Sequence, residues 1–105
     1  MTKPEKTKEY KALRSAMLES LEARGMVEEP YTDKVREYMN FWCQLKRLEA
    51  DVAERGVSVM DAKRGMPVEN RSVSLAVQVS RQMLAIYTAL GFKDEPSQGG
   101  GDDEL

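Results

Sequence analysis

With 105 residues, of which 41% are hydrophobic and 32% charged, the chain has room for one domain around one modest core. That balance excludes a disordered polyelectrolyte and suits helices with one buried and one solvated face. The net charge of -2 is unevenly spread, because residues 1–93 sum to +3 and residues 94–105, with five acids and no base, to -5.

From Pro4 to Arg24, Tyr10, Leu13, Met17 and Leu21 recur at three- and four-residue steps, which predicts a first helix stopped by Gly25. Met26 to Tyr31 reads as a loop because Pro30 biases its neighbour away from helix, with Thr32 or Asp33 as the next N-cap. A second helix over about 33–55, ended by Gly56, carries Val35, Tyr38, Trp42, Leu45, Leu48 and Val52 on one face. Met39 and Phe41 widen that face beyond a coiled-coil seam, so it should meet more than one neighbouring helix.

Between Gly56 and Arg71 the period shortens. Val57 and Val59 alternate with Ser58, a Gly65-ended turn follows, and Met66-Pro67-Val68 returns, which predicts a small hairpin over 57–69. Pro67 donates no ladder bond, so any strand there is an edge, and so short a hairpin needs support from a helix or another subunit. Asn70 is a good N-cap for a third helix that runs to Leu90. Its stripe reads Val73, Val77, Ser80, Leu84 and Tyr87, with Ala76, Met83 and Leu90 beside it. Gly91 stops this helix and lets Phe92 fold back toward Tyr87.

The expected fold is all-α, with three helices. The last two form a long antiparallel hairpin joined by a short β-hairpin-like connection, and the acidic C-terminal tail is disordered. By region, 1–25 is a basic N-terminal helix, 31–93 a helical core and oligomerisation unit, and 94–105 a flexible acidic tail whose glycines and acids bury too little to fold.

Histidine is absent, which removes the usual general base and the commonest transition-metal ligand, so neither a metal nor any other cofactor is expected. No phosphate-binding Gly-rich spacing or nucleophile elbow occurs, and an enzyme is not expected. Cys43 is the single cysteine, which rules out an intrachain disulfide; it reads as a small residue in a partly buried position. No apolar run approaches the roughly 20 residues needed to cross a bilayer, the Lys-rich start lacks a secretory apolar stretch, and a cytoplasmic setting follows.

Two basic clusters are candidates for phosphate contact. Lys3, Lys6, Lys8, Lys11 and Arg14 face only Glu5 and Glu9 in helix one, and Lys63, Arg64 and Arg71 lie at or beyond the hairpin tip. Each has an ordinary alternative, a solvated helix face with local ion pairs or a polar turn. Tyr38, Trp42, Leu45 and Val52 are the candidate assembly surface, Trp42 reading as core or subunit contact ahead of a ligand-stacking platform.

One arrangement is more specific than any single residue. A helix opens near Tyr31-Thr32-Asp33 and continues through Leu45-Lys46-Arg47-Leu48-Glu49-Ala50 and Glu54-Arg55-Gly56-Val57; the Gly65 turn, Asn70 and a helix closing at Leu90-Gly91-Phe92 follow. Over about residues 30–93 this resembles the small subunit of a tailed-bacteriophage terminase, in the short, all-helical branch. The resemblance implies a non-catalytic packaging component in the host bacterial cytoplasm. Such a chain binds double-stranded viral DNA, assembles into a ring-like homo-oligomer and delivers DNA to the large terminase subunit, which carries the enzymatic work. Relatives often have Asn-Pro at the start of the last helix and a Pro-containing basic segment after it. Here Arg71 follows Asn70 and the chain turns acidic after Lys93, which moves the expected DNA contact to helix one and the hairpin. From a different class, a helical protein-interaction adaptor or small regulator without DNA binding would use the same apolar face for a foreign partner.

Overall fold

The computed structural model describes residues 3–92, so the acidic segment 94–105 lies outside the described residues. A single 3-10 turn, Pro4–Lys6, precedes α1 (Lys8–Ala23) and α2 (Glu29–Arg55). A two-stranded antiparallel hairpin, β1 (Ser58–Asp61) and β2 (Met66–Glu69), then leads into α3 (Arg71–Ala89). The fold is mostly helical with three helices, as expected, and the hairpin forms where the period shortens.

Thr7 separates the opening turn from α1. Its hydroxyl accepts from the Tyr10 amide at 3.1 Å and donates to the Pro4 carbonyl at 2.8 Å, so one side chain satisfies a free N–H and ties the turn to the helix. At the far end Gly25 adopts φ 73°, and the Met26 amide reaches the Leu21 carbonyl at 2.9 Å. The α3 terminus repeats this closure: Gly91 has φ 83°, Phe92 N–H bonds Tyr87 O at 3.1 Å, and the two rings lie 5.1 Å apart.

The start of α2 departs from expectation. Pro30 lies inside the first helical turn, where its missing N–H has no intrahelical partner to lose, and α2 begins at Glu29. Thr32 is therefore already helical, and its hydroxyl donates back to the Glu29 carbonyl at 3.1 Å instead of capping. The 27 residues of α2 extend about 40 Å.

The core gathers Met17 and Leu21 of α1, Val35 and Met39 of α2, and Ile86 and Leu90 at the end of α3. Within α2 the fully buried line is Val35, Met39 and Cys43, four residues apart, whereas Tyr38, Trp42, Leu45, Leu48 and Val52 are partly buried. Spacing alone favours the latter set, because it reads for one partner; α2 has two, with Tyr10 of α1 against Trp42 and Tyr87 of α3 against Tyr38.

In α3 the difference is one of phase. Ser72, Val79, Met83 and Ile86 are buried, while Val77 and Leu84, which the spacing assigns to the core stripe, are 48% and 56% exposed. Apolar residues surround this helix on most sides, so the pairing with α2 selects which of them is covered.

A polar network fixes that pairing at its hairpin end. Asn70 is fully buried and caps α3 by accepting from the Ser72 amide at 3.0 Å. Its amide group donates to Asp51 at 3.1 Å and to the Gly56 carbonyl at 2.9 Å, while Ser72 Oγ donates to Asp51 at 2.7 Å. Arg55 completes the ring with two bonds to Asp51, at 2.7 and 2.8 Å. This pins the last turns of α2 to the first turn of α3.

Candidate functional site

The basic side chains of the N-terminal segment project into solvent. Lys3, Lys6, Lys8, Lys11 and Arg14 are all exposed. What distinguishes them from the cations of α2 is that they form no ion pair among the described residues. Every lysine and arginine of α2 sits in an ion pair: Lys34 with Glu37, Arg36 with Asp33, Lys46 with Glu49, Arg47 with Glu5 and Arg55 with Asp51. Among the described residues, none of the five N-terminal cations lies in such a pair.

Glu5 is available in principle to neutralise its neighbours, but it turns instead to Arg47, 42 residues away, through bonds of 2.9 and 2.8 Å. That contact holds the Glu5 carboxyl below the usual carboxylate range, the Arg47 hydrogen bond being the main cause. It also straps the opening turn to α2, leaving Glu9 as the acid within the Lys6–Arg14 stretch. Lys8 and Lys11 lie in the first turn of α1, where the peptide dipoles already present positive potential. Cations placed there add to that potential rather than cancel it, and a polyanion is the complementary partner.

The second cluster is arranged differently. Asp61 builds the tip turn by accepting from the Lys63 and Arg64 amides at 2.9 and 3.3 Å, with Gly65 at φ 66° closing it onto the Asp61 carbonyl. Arg64 is then spent on Asp61 at 3.7 Å, which leaves Lys63 and Arg71 exposed and outside any ion pair among the described residues. In the ladder Met60 stands opposite Pro67 and Val59 opposite Val68. Met60 and Met66 are 67% and 50% exposed, so the arm carries apolar as well as basic surface.

Of the candidate assembly residues, Tyr38 and Trp42 find partners inside the chain. Tyr38 lies 6.1 Å from Tyr87, and Trp42 lies 5.9 Å from Tyr10 with the Lys46 ammonium 5.3 Å from its ring centre. Burial raises the Tyr38 hydroxyl above its ordinary range. Trp42 also forms one wall of a cleft of about 630 Å³ between the opening turn and α2. Val52 is half-buried one turn before the end of α2.

Leu45 lies elsewhere, in a shallow depression it shares with Ala76, Val77 and Leu84 of α3. A second depression, with Tyr38, Met83 and Tyr87, adjoins it through Leu45, Ser80 and Leu84. Together they form a mainly apolar track along the α2–α3 seam, interrupted by Ser80 and edged by Glu49 and Arg81. Its α3 half escapes a spacing analysis, which places Val77 and Leu84 in the core. The signal was the excess of apolar residues over what one buried stripe of α3 uses.

The reactive groups are quiet. Cys43 is buried, and burial together with the nearby Glu5 charge raises its thiol, which holds it in the unreactive protonated form. Among the described residues, no group of three or more His, Cys, Asp or Glu converges as a metal site, and no helix is long and apolar enough to cross a membrane.

These features define a small, mostly helical protein with exposed cations at one end that lie outside any ion pair among the described residues, and a mainly apolar track on its longest helix pair. A family model described as phage terminase, small subunit, matches residues 10–97, and the chain belongs to that family. Comparison with curated proteins and with solved structures gives no match.

Proposed function

We propose that this chain is the non-catalytic DNA-recognition and assembly component of a phage packaging machine. In the host bacterial cytoplasm it would bind double-stranded viral DNA, self-associate into a ring and present the DNA to the large terminase subunit. Family membership supports the general role. The observation that carries the DNA-contact assignment is the set of five exposed cations at Lys3, Lys6, Lys8, Lys11 and Arg14, which lie outside any ion pair among the described residues, whereas the α2 cations all sit in ion pairs. Lys63 and Arg71 form a secondary contact, with Arg64 weakened by Asp61.

In this reading α2, the hairpin and α3 act as one rigid antiparallel unit locked by Asn70, and copies associate through the Leu45–Val77–Leu84 track, flanked by Tyr38, with Trp42 and Val52 in supporting roles. A single subunit with a handful of phosphate contacts binds DNA weakly, and repetition around a ring multiplies that affinity without new contacts. The test pairs mass measurement in solution with DNA binding by the intact chain and by a variant with Lys6, Lys8, Lys11 and Arg14 replaced by alanine. The reading expects an oligomer and a large loss of DNA affinity in the variant. A strict monomer at tens of micromolar refutes the assembly half, and unchanged DNA affinity refutes the surface. The adaptor reading draws on the same apolar track; it expects a foreign protein there and no DNA affinity at moderate salt.

A further inference from the structure

The hairpin is the least covered element of the chain. Its strands are four residues each, and none of residues 57–69 is buried. A two-stranded ribbon without a packed face is marginal in water, so a surface laid against it has to supply the missing stability. Met60 and Pro67 are partners in the ladder, both exposed, and so share one open apolar face of the arm. Lys63 stands at the tip, exposed and outside any ion pair among the described residues.

The cleft between the opening turn and α2 has the opposite character. Pro4, the half-buried Trp42 and Ala50 give it apolar wall. Of the charged residues that line it, Asp51 is held by Asn70 and Arg55, Lys46 by Glu49 and Arg47 by Glu5. Glu9 and Glu54 also line it, and they form no ion pair among the described residues. Its open charge is therefore negative, and its volume of about 630 Å³ suits a compact group of a few side chains. We propose that the arm tip of one copy of this chain seats in the cleft of a second copy, with Met60 and Pro67 against Trp42 and Lys63 between Glu9 and Glu54.

The arm does not fill the cleft of its own chain, since no hairpin residue lines it. The base of the arm is fixed, with the Asn70 amide N–H donating to the Val57 carbonyl at 2.8 Å and its side chain to the Gly56 carbonyl at 2.9 Å. A second copy is the partner that both surfaces fit. A thioether on an indole ring is a favourable contact, and a lysine between two carboxylates gives the seat its register. Arm and cleft are different surfaces, so each copy gives one arm and receives another, a heterologous contact that repeats from copy to copy. One arm tip covers far less than the roughly 1,000 Å² of a stable interface, so it acts together with the α2–α3 track; the proposal rests on self-association through that track. Lys63 engaged in this way is withheld from phosphate, which leaves Arg71 as the cation of the secondary DNA contact.

The main readouts need no DNA and use the intact chain. A carbodiimide that joins contacting carboxylate and amine groups, applied to a mixture of light and isotopically labelled protein, should link Lys63 to Glu9 or Glu54 across the two labels. Sedimentation over a dilution series then measures self-association. Lys63→Glu should weaken it about 10-fold, as should Glu9→Lys with Glu54→Lys, and the three changes together should restore it to within about 3-fold of the parent. All three positions are exposed, and thermal melts check that each variant stays folded. In an oligomeric parent, Lys63 links that are absent or stay within one label overturn the arm contact and leave the track standing. Charge reversals that leave association unchanged, or that fail to compensate each other, do the same. A monomeric parent overturns the self-association reading, and the arm contact with it. If Lys63→Glu weakens duplex binding while association is unchanged, the arm belongs to DNA and the proposal is overturned.

Discussion

The Asn70 side-chain amide donates to a carboxylate oxygen of Asp51 at 3.1 Å, joining two residues on either side of the hairpin. Asn70 also caps α3 and bonds the Gly56 carbonyl, so one fully buried side chain closes three local gaps. Replacing it with alanine removes an N-cap worth about 1 kcal/mol and strands buried polar partners at about 1–3 kcal/mol. Asn70→Ala should therefore lose about 2–4 kcal/mol in urea unfolding. Asn70→Asp keeps the cap acceptor but sets a second carboxylate beside Asp51, and should also be destabilised. A loss under about 0.5 kcal/mol in the alanine variant would mean that the network does not fasten the helices.

The same network gives a pH dependence. Hydrogen bonds from Arg55 first, then Ser72 and Asn70, hold the Asp51 carboxyl far below its ordinary value of 3.8. A group depressed in the folded state contributes stability above its unfolded value and loses it as pH falls toward the folded one. Stability should therefore hold from neutral pH to about pH 5 as far as Asp51 is concerned, then decline through pH 4 and below. Glu5, lowered by Arg47, adds to the same trend. Asp51→Asn should be less stable at neutral pH and show a shallower acid slope, which thermal melts across pH 2–7 would resolve.

How much of this was legible in the sequence depends on how local its cause is. The closure at Leu90-Gly91-Phe92 and the cap at Asn70 are set by residues within one turn, and both form as their residue types dictate. The hairpin likewise follows from alternation and the Gly65 turn. Pro30 misleads because a proline before a helix and a proline in its first turn leave nearly the same trace. The phase of α3 is illegible because apolar residues at Val77 and Leu84 satisfy the period as well as the buried ones do. The engagement of Glu5 with Arg47, beside the Lys6–Arg14 cluster, spans 42 positions, and no local pattern encodes it.

Val77 and Leu84 are exposed in the single chain, so charges there should leave folding almost untouched while blocking association through the α2–α3 track. Val77→Lys with Leu84→Lys should change unfolding free energy by less than about 1 kcal/mol, since both side chains are about half exposed and neither belongs to the buried core. Light scattering should report the mass of a single chain where the parent is an oligomer. Met39→Ala is the contrast: its side chain is fully buried, and truncation should cost about 2–5 kcal/mol. If the double lysine variant keeps the parent mass, the assembly surface lies off this track.

Salt dependence separates the two basic clusters, because each phosphate contact on duplex DNA contributes about -0.9 to the slope of log affinity against log salt. Replacing Lys6, Lys8, Lys11 and Arg14 with alanine should reduce the magnitude of that slope by about 3 to 4 per binding subunit, and lower affinity across unrelated sequences alike. Replacing Lys63 and Arg71 should reduce it by at most about 2, and Arg64→Ala should add little because Asp61 already holds that guanidinium at 3.7 Å. Titrations of fluorescent duplex at several salt concentrations measure each slope. A larger loss from the hairpin pair than from the α1 set would place the principal DNA contact on the hairpin, since cations neutralised inside the protein release no counterions from the nucleic acid.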